Sequence, residues 1–306
     1  MNLFLSGLVF DLSRSHPISS SDFDKIREAN NIRLSALAVE GAFDILVESY
    51  FEFEKDCVDI ALRMMISFHS GDINDHNYRL LLNRRFMNIM TAARSFQDQL
   101  EIKMKEIFHE NGKRSPSFSK IKAPIYDSSP QFRALSLLRN HVQHHGLPIQ
   151  RYSHSSQWDF ADGKKSTMKV HLKPMIDIDD LLRDKEFSKR ADNGVLSCLS
   201  SDPLPLLLAK YVENLWEMQN SYREMVGEKL EQCDEIINGY LELYSDLFKI
   251  NPCDYISIHE FDGNQESSRL ENLFRRLELI RKYLIEKNLS LRSVSRSYVV
   301  TKVFND

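Results

Sequence analysis

The sequence predicts a mainly α-helical protein: a bundle of four to five long helices with an inserted β-hairpin. Three observations carry this. Apolar residues recur at three- and four-residue steps over most of the 306 residues, the signature of amphipathic helices. The breaks between these stretches are short and built from Ser, Asp, Asn, Gly and Pro. Residues 151–173 instead alternate apolar and polar side chains about Asp162-Gly163, a dipeptide suited to a two-residue hairpin turn.

Each element follows in order. Residues 2–12 (NLFLSGLVFDL) read as a short strand or an N-terminal arm. Ser19-Ser20-Ser21-Asp22 supplies N-cap candidates. From Phe23 to about Ser67, helical spacing joins Ile26, Ala29, Leu34, Leu37, Ala38, Ile45 and Leu46. This is one helix, or two broken near Gly41, with Tyr50, Phe51 and Phe53 as core anchors. A turn at Ser70-Gly71-Asp72, with Asp75 as a cap, precedes a helix from about His76 to His109. That helix carries Leu80, Leu81, Phe86, Met90, Ala93, Phe96, Leu100 and Met104, and Asn111-Gly112 marks its end. Lys113–Pro130, rich in Pro and Ser, reads as an ordered loop.

The third helix opens at Ser129-Pro130, proline being suited to a first turn. It carries Phe132, Leu135, Leu138 and Val142. Gly146, able to take a left-handed C-terminal position, and Pro148 stop it. After the hairpin, which bears Trp158, Phe160, Met168, Val170 and Leu172, Asp177–Lys189 resembles a short helix. Asp202-Pro203 opens a long helix to Phe248 through Leu207, Tyr211, Leu215, Met218, Tyr222, Met225 and Leu230. Asn251-Pro252 interrupts. Glu266–Lys287 is a last helix, with Leu273, Leu277, Ile280 and Leu284 on one stripe, and the tail Ser293–Phe304 reads as a strand or as disordered. No linker demands a second domain. The expectation is one domain over 1–306, with the hairpin at about 151–173 and a C-terminal helix plus tail at about 266–306.

Hydrophobic residues at 42% and charged residues at 27% are ordinary globular values. A net charge of −4 does not announce a nucleic-acid partner, although a local basic patch remains open. Cys57, Cys198, Cys233 and Cys253 form no CxxC and no zinc spacing, so they read as reduced packing cysteines of a cytoplasmic protein. The N-terminus lacks basic residues before its apolar part, which argues against a signal peptide. No run approaches the roughly 20 apolar residues that span a bilayer. The expectation is a soluble protein without a membrane partner.

The chemistry concentrates in Leu138–Pro148, which holds Arg139, Asn140, His141, His144 and His145. At about 100° per residue, Asn140 and His144 are helix-surface neighbours, as are Arg139 with Gln143 and His141 with His145. Arg139 and His144 lie about 140° apart. They share a site only if the last turn unwinds or a second copy supplies one of them. An imidazole can take the proton of a ribose 2′-OH near neutral pH. A guanidinium fork matches the phosphoryl oxygens on which charge then builds. Asparagine can hold the imidazole tautomer or a substrate oxygen. The set suits phosphodiester cleavage without a metal. Metal binding by His141, His144 and His145 is the competing chemistry, but no HExxH glutamate and no nearby acid accompany them. The bland reading is a polar helix end that caps carbonyls and complements the dipole.

Arg139-Asn140-His141-Val142-Gln143-His144 resembles the RX4-6H motif of the HEPN superfamily, in the form with Asn after the Arg. The resemblance implies a four-to-five-helix bundle, usually dimeric. It also implies a metal-independent ribonuclease of a toxin–antitoxin or phage-defence system, needing no cofactor. On that reading RNA is the substrate, a homodimer is the working form, and an antitoxin or defence protein is a possible partner. Arg139 and His144 are then catalytic, Asn140 is the accessory polar residue, and His145 fits the longer spacing. Some members of the superfamily only bind, so the alternative is a non-catalytic helical module for RNA, a nucleotide or a partner protein. The 306-residue length and the hairpin after the motif depart from a minimal HEPN domain.

Other candidates have plainer readings. Arg275, Arg276, Arg281, Lys282, Lys287, Arg292, Arg296 and Lys302 could meet RNA phosphates. Glu271, Glu278 and Glu286 interleave with them, which favours a solvated face. Arg84-Arg85 and Lys113-Arg114 carry the same ambiguity. Trp158 and Phe160 could stack on bases, but core packing is the expectation, as it is for Met64-Met65 and the phenylalanines.

Overall fold

The computed structural model describes residues 2–7, 9–67, 72–108, 118–144, 146–161, 164–250, 254–261, 267–289, 291 and 294. At 67, 72, 143, 144, 154, 156, 157, 159, 161, 164–171 and 267 it describes the backbone alone. The architecture is mainly helical. The elements are β1 (Asn2–Ser6), β2 (His16–Ile18), α1 (Ser20–Ser67), α2 (Asp72–Ile107), α3 (Phe118–Ser128), α4 (Pro130–His144), β3 (Ile149–Ala161), β4 (Lys164–Ile176), α5 (Ile178–Arg183), α6 (Lys185–Arg190), α7 (Asn193–Ser201), α8 (Leu204–Phe248), β5 (Tyr255–Phe261), β6 (Ser267–Phe274) and α9 (Arg276–Lys287).

Three helices dominate: α1 of 48 residues, α2 of 36 and α8 of 45. Gly41 does not break α1, because Ala36, Val39, Ala42, Phe43, Leu46 and Val47 on either side are all buried and that packing outweighs the roughly 1 kcal/mol cost of an interior glycine. Ser19 caps α1: its hydroxyl accepts from the Asp22 N–H at 3.0 Å, and the Asp22 carboxylate accepts from the Ser19 backbone N–H at 3.4 Å. That is the reciprocal capping arrangement. Ser129 caps α4, accepting from the Phe132 N–H at 3.1 Å, and Pro130 takes the first helical position.

Two compact units divide the chain, and α1, α2 and α8 contribute to both. One unit comprises residues 1–41, 99–117 and 221–289 and contains a four-stranded antiparallel sheet in the order β2-β1-β5-β6. Leu3, Leu5, Ile256, Ile258 and Leu273 bury its inner face. Helix α1 is tied to β6 through polar groups. Asn30 Nδ2 donates to Glu271 Oε1 at 2.6 Å and to the Asn272 carbonyl at 3.0 Å, and Arg33 Nη2 donates to the Phe274 carbonyl at 2.9 Å. Asp234 lies between Arg33, whose Nε is 2.7 Å away, and Arg281, with both guanidiniums largely buried.

The other unit comprises 42–98, 118–220 and 290–306. Its core holds Phe43 against Phe96 with ring centroids 5.3 Å apart and Phe132 against Tyr211 at 5.3 Å. It carries the β3–β4 ribbon, a sheet of two strands only. The ribbon is rooted on α2 by Asn83, whose side chain imitates a neighbouring strand. Asn83 Oδ1 accepts from the Ile149 N–H at 3.0 Å, and Asn83 Nδ2 donates to the Ile149 carbonyl at 2.8 Å.

Several expectations are corrected. Residues 118–128 of the expected loop form α3, held by buried Ile121 and Ile125 although Pro124 removes one helical donor. The expected last helix begins late: residues 267–274 are strand β6, and only 276–287 are helical. Leu273 therefore fills the sheet core rather than a helix stripe. The expected helix over 177–189 is two helices, because the Asp184 side chain accepts the Glu186 and Phe187 N–H groups and starts a second one. Phe51, Leu34, Ile45, Leu80, Met225 and Ile280 are exposed rather than core. These long helices bury only one face, and periodicity does not say which residues at its edge are covered. Phe160 is 66% exposed. Arg281 is buried, not on a solvated face. The expected turn at 70–71 and nearly all of the tail lie outside the described residues.

Candidate functional site

Helix α4 carries the motif and stays α-helical through His144. The regularity has a local cause. Phe132, Leu135, Leu138 and Val142 are buried along one side, so a continuous apolar stripe holds every turn to the end. The last turn does not unwind, and Arg139 and His144 remain about 140° apart around one helix.

Arg139 is half-buried and Asn140 exposed. Arg139 Nη1 donates to Asn140 Oδ1 at 3.0 Å, so the two polar neighbours of the motif are coupled directly. Arg139 Nε is buried and meets no hydrogen-bond partner among the described residues. No carboxylate among the described residues pairs with this guanidinium, whereas Arg133, two turns earlier, is anchored to Asp192 at 3.0 Å. The same holds for Nε of Arg275; a buried donor left without a partner costs about 1–3 kcal/mol.

Tyr211 of α8 senses that charge. Burial pushes its phenol up to about 12, while hydrogen bonds with Gln97 and Ser136 and the positive charges of Arg139 and Arg94 pull the other way. Gln97 Nε2 donates to the phenol oxygen at 3.4 Å. Tyr211 thus lies within electrostatic reach of both Arg139 and Arg94, and Arg94 is itself paired with Asp98 at 2.7 Å.

His141 has a different fate. Its Nδ1 lies 2.9 Å from Asp184 Oδ2, both side chains at most 6% exposed. A carboxylate only accepts, so the imidazole N–H donates. The ring also meets Phe187 edge-on at 6.3 Å. Asp184 meanwhile caps α6 through its other oxygen. His141 therefore joins α4 to the α5–α6 turn. The expectation that no acid stands near the histidines is overturned: Asp184 is 43 residues away in sequence and adjacent in space. Sequence reasoning had one usable signal, since an Asp two and three residues ahead of free helical N–H groups is a capping residue with a second oxygen to spare.

Of the other motif residues, His144 is placed on α4 by its backbone and His145 lies outside the described residues. Gly146 has φ 157°, a mirror-extended conformation open to glycine, rather than the left-handed helical value near 57°. No group of three His, Cys, Asp or Glu among the described residues could hold a metal ion. Among the described residues no helix is long and apolar enough to cross a membrane. No family model, curated protein or solved structure matches the chain.

Proposed function

We propose that the chain is a HEPN-like, metal-independent endoribonuclease acting as a homodimer, an effector of a toxin–antitoxin or phage-defence system. The observation that carries the reading is the division of labour on α4. His141 is committed to Asp184, while Arg139 keeps a buried, unpartnered N–H and has no ion pair among the described residues. The arginine is thus available to the phosphoryl oxygens, where charge builds as the 2′-oxygen attacks phosphorus. His144, or His145 at the longer spacing, takes the 2′-OH proton. Asn140, hydrogen-bonded to Arg139, fixes the guanidinium fork. Because α4 is regular through His144, arginine and histidine act on one phosphate only when a second copy supplies one of them.

The same regularity favours a second reading, a non-catalytic helical module. In it, Arg139 alone holds an RNA or nucleotide phosphate and no proton is transferred. One experiment separates the two. Purified protein is incubated with RNA in excess EDTA, and products are resolved on a denaturing gel. The ribonuclease reading expects cleavage that disappears in Arg139→Ala and in His144→Ala, with partial recovery when the two variants are mixed in equal amounts. Cleavage that survives both substitutions refutes it. RNA binding without turnover, lost in Arg139→Ala and kept in His144→Ala, establishes the binding module.

A further inference from the structure

The β3–β4 ribbon is rich in basic residues and carries few acidic ones. In an antiparallel ladder, directly paired residues share a face and successive pairs alternate faces. The continuous register pairs Arg151 with Met175, Ser153 with Lys173, Ser155 with His171, Gln157 with Lys169 and Asp159 with Thr167. These pairs occupy one face. Tyr152–Pro174, His154–Leu172, Ser156–Val170 and Trp158–Met168 occupy the other.

Burial agrees with the division. Pro174 is buried, and Tyr152, Trp158 and Leu172 are half-buried, whereas Arg151, Ser153, Ser155 and Lys173 are exposed. Tyr152 donates to Asp75 of α2 at 2.5 Å, so the apolar face lies against the helices. The polar face therefore carries Arg151 and Lys173, and the register puts positions 171 and 169, a histidine and a lysine in the sequence, on the same face in the next rows, about 6.8 Å apart. That step is comparable to the spacing of neighbouring phosphates along an extended single strand. Ser153, directly opposite Lys173, and Ser155 in the next row are exposed hydroxyls on the same face.

Residues 149–176 hold five Lys and Arg against two Asp, in a chain of net charge −4. Neither Arg151 nor Lys173 forms an ion pair among the described residues. Helix α9 shows the contrasting case of a solvated face, with Lys282 paired to Glu278 at 2.5 Å.

We propose that this face of the ribbon binds the phosphate backbone of single-stranded RNA, independently of base sequence. The ribbon begins five residues after His144, so it receives the strand whose scissile phosphate lies at Arg139. The assignment rests on the reading of RNA as substrate, but it is measured by binding and so stands or falls separately from cleavage.

The probe is a 5′-fluorescein-labelled 20-nucleotide RNA with 2′-O-methyl riboses, which cannot be cleaved by 2′-OH attack. It is titrated with full-length protein between 50 and 300 mM KCl, followed by anisotropy. Each phosphate contact on a single strand contributes about 0.7 to the slope of log K against log salt. The triple variant Arg151→Gln, Lys169→Gln, Lys173→Gln should flatten that slope by about 2. With affinity at 1 M salt unchanged, this amounts to about eightfold per contact at 50 mM, or roughly 500-fold in all. Ser155→Lys, on the cationic face, should steepen the slope, and Ser156→Lys, on the other face, should not. These two additions keep the test decisive if the triple variant misfolds.

The proposal is overturned if wild-type protein does not bind the probe or if the triple variant binds with unchanged slope. Equal effects of Ser155→Lys and Ser156→Lys, or binding to phosphatidylserine vesicles in place of RNA, also overturn it. Binding that behaves as expected while unmodified RNA stays intact refutes the ribonuclease reading alone. Cleavage that persists in a triple variant of unaltered affinity refutes the ribbon assignment alone.

Discussion

Replacing His141 by alanine separates the two roles that a cluster of histidines can play. The imidazole N–H donates to Asp184 Oδ2 at 2.9 Å in a site from which both side chains show at most 6% of their surface. A buried hydrogen bond to a charged acceptor is worth about 1.5–3 kcal/mol. The lost edge-on contact with Phe187 at 6.3 Å adds about 0.5–1.5 kcal/mol. His141→Ala should therefore destabilise by about 2–4 kcal/mol. Asp184→Ala should cost about 1 kcal/mol more, because it also strips the cap of α6. The double variant should fall short of the sum by the shared bond, a coupling of about 1.5–3 kcal/mol. Urea unfolding at neutral pH, followed by circular dichroism, measures all three. At a temperature where His141→Ala is still folded, its RNA cleavage should stay within a few-fold of wild type, while His144→Ala abolishes cleavage and leaves the urea midpoint in place. Unchanged stability in His141→Ala together with lost cleavage would falsify the assignment of His141 as a structural link and move the catalytic role to it.

Two further outcomes follow from the sheet-bearing unit. Asp234→Asn leaves the guanidiniums of Arg33 and Arg281 buried without their shared carboxylate, and should destabilise by about 3–5 kcal/mol in the same urea assay. Lys282→Ala, at a side chain that is 63% exposed, should change little. Burial holds the His259 imidazole below its ordinary 6.5, and the Gly7 carbonyl at 3.2 Å only partly offsets this. The unfolded chain then takes up a proton near pH 6.5 that the folded chain resists. Stability is full above that pH and declines as pH falls from 6.5 toward the depressed value. Thermal unfolding at pH 7.5, 6.5 and 5.5 should show this decline, and His259→Gln should flatten it. An identical pH profile for the variant would show that other groups govern the acid limb.

What was legible depended on how local its cause is. The boundaries of α8 (Leu204–Phe248), α4 (Pro130–His144) and the β3–β4 ribbon fall within a few residues of their reading. An N-cap and a proline at the first turn act over four residues, and the Asp162-Gly163 turn lies outside the described residues. The strand β6 was hidden because Leu273 also fits a helical stripe with Leu277, Ile280 and Leu284. What makes 267–274 a strand is pairing with β5, which in turn pairs with β1 at the opposite end of the chain. Strand stability lies in neighbours rather than in the segment itself. The exposure of Phe51 and Phe160 was equally beyond reach, since an apolar residue is core only if something covers it.

The motif shows the same division. The sequence by itself determined that an arginine, an asparagine and histidines ride one helix and that Arg139 and His144 lie on different sides of it, because both follow from spacing and the helical repeat. Tertiary structure alone decided which of these groups is occupied. It brings Asp184 from 43 residues away to hold His141, and leaves Arg139 coupled to Asn140 with no ion pair among the described residues. The availability of a side chain is set by what the fold places against it, and that is a property of long-range packing.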